Sequence, residues 1–346
     1  GASSLEVDGL FSLSSDWTNN ATASTALAGG GYGTIEFNGA ANQNIGGSTS
    51  TQFENILVNN AAGITLTADQ QVSNGLYFTN GKITTGANRL DHTATADSVS
   101  GYSSTAYVLG NYRRYLNTGT DYHLPIGSAT NLELAEIYVS SATGLTYIDA
   151  SFTPADENPV IGGVTVNGVA VDNYLDHGYW TFTPNAGVGA VSYNATIHST
   201  GHSDYGGTED NYAMLTNTGA GWQDLGINSS ASQLYSVGTV SSKRFYLSSF
   251  GSYIVAYLSA STYNPPPITD EVRVKGNFVK VHADHTATVS GSSLALNLSN
   301  AGTIKVTNNA TFVSDGPLTT NGASSLEVDG LFSLSSDWTN NATAST

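Results

Sequence analysis

Cysteine is absent from these 346 residues, which removes disulfide stapling, thiol catalysis and sulfur-based zinc sites together. Positive charge is scarce: 10 Lys+Arg stand against 27 Asp+Glu, a formal net charge of −17 at pH 7. Such a balance repels phosphate backbones and anionic lipid, so no nucleic-acid partner is expected. No apolar run approaches the ~20 residues that a membrane helix needs, and no membrane insertion is expected. No signal peptide is visible, but an internal window of a longer protein would lack one in any case. Charged residues make up only 11% of the chain, so its polarity comes from Ser, Thr, Asn and 38 Gly. That mixture suits turns and strands rather than long helices, while 39% hydrophobic residues suffice for packed cores.

What is present in abundance is repetition. GASSLEVDGLFSLSSDWTNNATAST occupies residues 1–25 and again 322–346, a displacement of 321 from residue 1 to residue 322. A period that long is a whole module rather than one coil of backbone, so the sequence reads as a window on a tandem array. An engineered duplication is the bland alternative. A third reading has the tail copy fill, in another molecule, the place of residues 1–25, as in strand exchange.

The three prolines of Asn264-Pro265-Pro266-Pro267-Ile268-Thr269-Asp270 mark a stiff linker. Beyond it come short strand-like fragments separated by Gly, Asn, Asp and Ser. Joined across the duplicated ends, residues 272–321 and 1 to about 110 form one series of such fragments, read here as a parallel β-helix or similar solenoid. Each strand offers an apolar pair to a narrow core: Leu294/Leu296, Ile304/Val306, Leu326/Val328, Ile35/Phe37, Ile56/Val58, Ile64/Leu66 and Leu76/Phe78. The doublets Asn19-Asn20, Asn59-Asn60 and Asn308-Asn309 fit coil corners, where Asn tolerates left-handed turns and can stack into amide ladders. Hairpins of a β-sandwich are the competing explanation. Residues 111–260 differ, with longer aromatic strands in which Ile148, Ala150 and Phe152 alternate, as do Val191, Tyr193, Ala195 and Ile197, and Tyr253, Val255 and Tyr257. That pattern argues for an antiparallel sandwich.

The expected fold is therefore all-β, with β-solenoid segments alternating with a β-sandwich in an array of 321-residue period. Its expected divisions are a solenoid at 1–110, a sandwich at 111–260, a proline-rich linker at 261–271 and the start of the next solenoid at 272–346.

FENILVNNAAGITLTADQQVSNGLYFTNGKITTGANRL, then YVLGNYRRYLNTGTDYHLPIGSATNLELAEI, YWTFTPN and SFGSYIVAY span roughly residues 53–258. These phrases resemble the long repetitive surface proteins of Bacteroidota exported by the type IX pathway, relatives of gliding and adhesive filaments. The resemblance implies solenoid-like coils, then entry into a sandwich from Gly110 through Pro125-Ile126-Gly127, and it carries no catalytic residue. The chain departs from that family in lacking a terminal sorting domain and in the fidelity of its repeat. Asp97-Ser98-Val99 also resembles the short O-glycosylation signal of Bacteroidota.

No catalytic residue is expected. His198/His202 and His282/Asp284/His285 have spacings that could serve a metal, but zinc needs three or four converging ligands. Oxygen-rich loops offer weak calcium candidates at Asp156, Glu157, Asp172, Asp176, Glu209 and Asp210, none in an EF-hand pattern. Gly29-Gly30-Gly31-Tyr32-Gly33 lacks both the aspartates of a calcium nonapeptide and the Lys-Ser/Thr of a phosphate loop. Tyr32 and Tyr205 are the candidate surface aromatics for sugar stacking. The expected function is a structural repeat unit of a long extracellular filament or adhesin on a bacterial surface. Its partners would be adjacent identical repeats, neighbouring copies and cell-surface glycans. The alternatives are a carbohydrate-binding or carbohydrate-cleaving, tailspike-like β-helix protein and a subunit of a strand-exchanged non-covalent polymer.

Overall fold

The structure, a computed structural model, describes residues 5–22, 25–26, 33–155, 159–202, 211–228, 233–236 and 238–258, and nine strands between residues 278 and 342. The described chain is all-β, with no α-helix. It divides into two compact units, Gly1–Ile227 with Tyr235–Ser261, and Asn228–Leu234 with Thr262–Thr346.

The first unit opens with a β-solenoid of about 5 turns. Three columns of parallel strands build it. One column runs Leu10–Leu13, Thr34–Phe37, then the C-terminal half of Thr51–Asn59 and of Gln70–Asn80, ending at Val99–Ser100. The register Thr34↔Asn55↔Gly75 advances by 21 and then 20 residues per coil. A second column runs Trp17–Thr18, Gln43–Gly46, Ile64–Leu66, Ile83 and Thr84, Val108 and Leu109, and Ile126–Gly127. The third stacks Thr25–Ala26 on Thr51 and Gln52, then on Gln71 and Val72, Asp91 and His92, and Arg113 and Arg114.

The period-two pattern explains which side chains enter the bore. Ile35, Phe37, Ile56, Val58, Ile64, Leu66, Leu76 and Phe78 are all buried, and the residue between the members of each pair is less so, as a period-two strand predicts. Leu326/Val328 and Ile304/Val306 lie on parallel strands of the second unit, while Leu294 lies outside the described residues. At the corners the chain passes so close to the coil beside it that only glycine fits: a Cβ on Gly81 would lie 1.7 Å from the Asn60 carbonyl oxygen.

Asn19 and Asn60 do not take left-handed backbone angles. Each instead bends its own corner, the side-chain oxygen accepting from the backbone N–H two residues on, at Ala21 (3.0 Å) and Ala62 (2.9 Å). The amides then reach across coils to non-Asn partners, so no Asn-on-Asn ladder forms at these two positions.

The solenoid does not stop at the expected boundary after residue 110. Strand Val108–Tyr115 bends at Gly110, pairs in parallel with Ile83–His92 on one edge and antiparallel with Tyr147–Thr153 on the other. Thus the third column continues as one sheet of the sandwich, through Tyr179–Pro184, Ser252–Tyr257 and Tyr212–Asn217. The second sheet is antiparallel: Asp121–Leu124, Ala135–Ala142, Val191–Thr200 and Thr239–Leu247. Between the sheets lie Ile148, Ala150, Trp180, Phe182, Ile137, Tyr193, Ala195 and Ile197, all nearly inaccessible to solvent. Tyr193 and Tyr253 join the sheets through their hydroxyls, and Tyr193 also donates to the Ser249 carbonyl at 2.7 Å.

The second unit is built on the same plan. Phe278–Val281, Thr303–Val306 and Ser325–Val328 stack in parallel, as do Thr286–Val289, Thr311–Ser314 and Leu331–Leu334, and Leu296–Leu298, Leu318–Gly322 and Trp338–Ala342. Three columns that each advance by 20 to 25 residues describe solenoid coils again.

Candidate functional site

The most informative site is the coil written twice. In the first unit Leu10–Leu13 and Trp17–Thr18 belong to the first coil, and in the second unit the identical residues Leu331–Leu334 and Trp338–Ala342 belong to the last. Each copy is paired on one edge, and the edges are opposite. Leu10–Leu13 pairs with the strand that follows it, Thr34–Phe37. Leu331–Leu334 pairs with the strand that precedes it, Thr311–Ser314.

Side chains fasten the first copy to the following coil. Buried Gln43 donates from Nε2 to the carbonyls of Leu13 (2.9 Å) and Ser15 (2.7 Å), and its Oε1 accepts from Gly39 N–H (2.8 Å) and from Asn60 Nδ2 (3.0 Å). All its main hydrogen-bonding capacity is thereby used inside the stack, as a buried amide requires. Trp17 packs against Phe53 with ring centroids 5.4 Å apart and donates Nε1–H to Thr51 Oγ1 at 2.9 Å. Asp16 accepts from the Asn44 backbone (2.8 Å) and side chain (3.2 Å), and these bonds hold its pKa below the usual carboxylate value. Glu36 is lowered likewise, chiefly by the Ser12 hydroxyl and then by Asn59.

Phe11 stands in register with Ile35, which is 2% exposed, yet Phe11 is 40% exposed, and Leu5 is 45% exposed. In the tail copy Trp338 is 51% exposed, whereas its counterpart Trp17 is packed on Phe53.

At its other end the coil stack changes character. The inward column Phe53, Val72, His92, Arg114 turns from apolar to basic as the sandwich begins. Arg114, fully buried, donates to the carbonyls of His92, Ala94 and Ala96 and lies over the Tyr122 ring. His92 donates from Nε2 to the Asn74 carbonyl, so its Nδ1 accepts from Tyr112 Oη, both at 2.7 Å. Burial, and then the nearby Arg114 charge, push the His92 pKa down to about 3.

Among the described residues the sequence-derived metal candidates do not converge. His198 Nδ1 meets Ser241 Oγ at 2.7 Å and its Nε2 lies 3.6 Å from Glu136 Oε1, while His202 packs against the His177 ring. Asp172 and Asp176 are exposed, and no group of three or more His, Cys, Asp or Glu able to hold a metal occurs among the described residues. Asp156, Glu157, Glu209, Asp210, His282, Asp284, His285, Tyr32 and Tyr205 lie outside the described residues. A groove of about 360 Å³ is lined by Asp69, Arg89, Asn111, Asp149, Ser151 and Thr183. Its charges are internally matched, since Arg89 pairs with Asp91, and Arg113 with Asp149 at 2.7 Å.

No family model, curated protein or solved structure matches the chain.

Proposed function

We propose that this chain is a structural repeat unit of a long extracellular filament or adhesin of a bacterial surface, as in the type IX-secreted repetitive proteins of Bacteroidota that it resembles. The observation carrying this reading is the duplicated coil. Identical residues close the last solenoid coil of one unit and open the first coil of the other, with Leu10–Leu13 and Leu331–Leu334 bounded alike and paired on opposite edges. One stretch of sequence that pairs with a following coil in one copy and with a preceding coil in the other is suited to link successive units of a repeating rod. Reach would then scale with the number of 321-residue periods, and adhesion would be many weak contacts multiplied along the thread, to cell-surface glycans among others. The test is the encoding gene read with electron microscopy of the native protein. Consecutive repeats and particles that lengthen in proportion to repeat number are expected. A gene holding a single unit, with compact particles, would refute the proposal.

A further inference from the structure

The groove lined by Asp69, Arg89, Asn111, Asp149, Ser151 and Thr183 lies within the first unit, on the sheet that passes from solenoid coils into sandwich. We propose that it is a binding site for an uncharged hexose unit of a glycan. The inference gives the glycan contacts of the reading above a place on the molecule, and it rests on that reading for its use.

The charged and amide side chains of the groove are already fastened. Arg89 is forked onto Asp91 through Nε and Nη2, and Asp149 accepts from Arg113 at 2.7 and 2.8 Å. Asn111 donates from Nδ2 to the Gly86 carbonyl at 3.2 Å and the Asn88 carbonyl at 3.0 Å. Asp69 accepts the Arg89 backbone N–H at 2.9 Å. Side chains held in this way lose little freedom when a ligand arrives.

Bonding capacity is left over on both sides of the ledger of donors and acceptors. Arg89 Nη1, Asp69 Oδ2, Asn111 Oδ1 and the hydroxyls of Ser151 and Thr183 have no hydrogen-bond partner among the described residues. The guanidinium nitrogen can only donate, the amide and carboxylate oxygens can only accept, and the hydroxyls do either. An anion would call for donors alone and a metal ion for acceptors alone. Sugar hydroxyls, each a donor and an acceptor, use the mixture. Charge selects within the sugars: two carboxylates and one guanidinium line the groove of a chain of net charge −17, which disfavours uronic and sialic acids.

The volume of about 360 Å³ falls within the ~300–1,000 Å³ of small-molecule sites. The described lining includes Ala87 and Ala150 but no aromatic ring on which a sugar could stack. Affinity at a single groove should therefore be weak, with Kd about 1 mM. A groove in every period of a thread would multiply that weak contact.

Titration of the full-length chain with cellobiose, lactose and mannobiose, followed by amide shifts in NMR, tests the proposal, with digalacturonate as the anionic control. At least one neutral disaccharide should shift the amides of Asn111, Ser151 and Thr183, and digalacturonate should bind more weakly. The double variant Ser151→Ala, Thr183→Val should weaken binding about tenfold. Its melting temperature should hold, since these hydroxyls bond no described residue. The wild-type shifts locate the ligand however the variant folds. No shift with any of the three disaccharides, shifts confined to other surfaces, unaltered binding in a folded variant, or equal binding of digalacturonate would overturn the proposal. A single-unit gene with sugar in the groove would reject the thread and keep the site, whereas a gene of many repeats with an empty groove would do the reverse.

Discussion

His92 shows how a single inward residue couples the stack to pH. Its ring is buried, neutral and bonded at both nitrogens, with a pKa pushed from 6.5 to about 3. A histidine depressed on folding gives stability that is complete above the unfolded value and is lost as pH falls below it, because only the unfolded chain then takes up the proton. Below pH 6.5 the wild type should therefore lose about 1.4 kcal/mol of stability per pH unit through this residue. Urea titrations at pH 7 and pH 5 of wild type and His92→Gln would check it, with the slope flattened in the variant. None of this was legible in the sequence, where His92 is one polar residue in a run of them. The same holds for Gln43, Gln70 and Arg114, which occupy inward positions because their partners are carbonyls and amides of adjoining coils, up to 30 residues away in the case of Gln43 and the Leu13 carbonyl.

Among elements, the apolar pairs were the readable signal. Ile35/Phe37 on either side of Glu36, and Ile64/Leu66 on either side of Thr65, alternate with polar neighbours and point into the bore. Ser252–Tyr257 was only half readable: Tyr253 and Val255 face the core as their alternation requires, but Ile254 and Ala256 are buried too, since this strand is covered on both faces. The expected division at residue 110 fell inside a continuous strand, because Gly110 bends Val108–Tyr115 without ending it. The duplicated coil was visible as repeated words, but the opposite pairing of its two copies needed the register. Corners are the fragile parts of such elements. Gly81→Ala should cost about 1–3 kcal/mol, since its φ of 89° and the Asn60 carbonyl both reject a Cβ. A lowered melting temperature, with loss of amide protection in the flanking coils, is the expected result. By contrast Gly86→Ala, with open space around the added carbon, should bear only the backbone penalty of its φ of 59°.

For the whole molecule, the net charge of −17 sets the long-range term against which any joint between chains must form. Copies approaching end to end repel one another until salt screens them. Raising ionic strength from about 0.1 M to about 1 M shortens the screening length from ~10 Å to ~3 Å and should weaken that repulsion.

Within the first unit, one ladder of backbone bonds runs unbroken from parallel rungs into antiparallel ones, with Arg113 stacked on Tyr147 and clamped to Asp149 at the changeover. No pivot exists there. Coils and sandwich must tilt as a single solid, so a torque applied to one is felt by the other, and whatever suppleness the chain has must come from elsewhere along it.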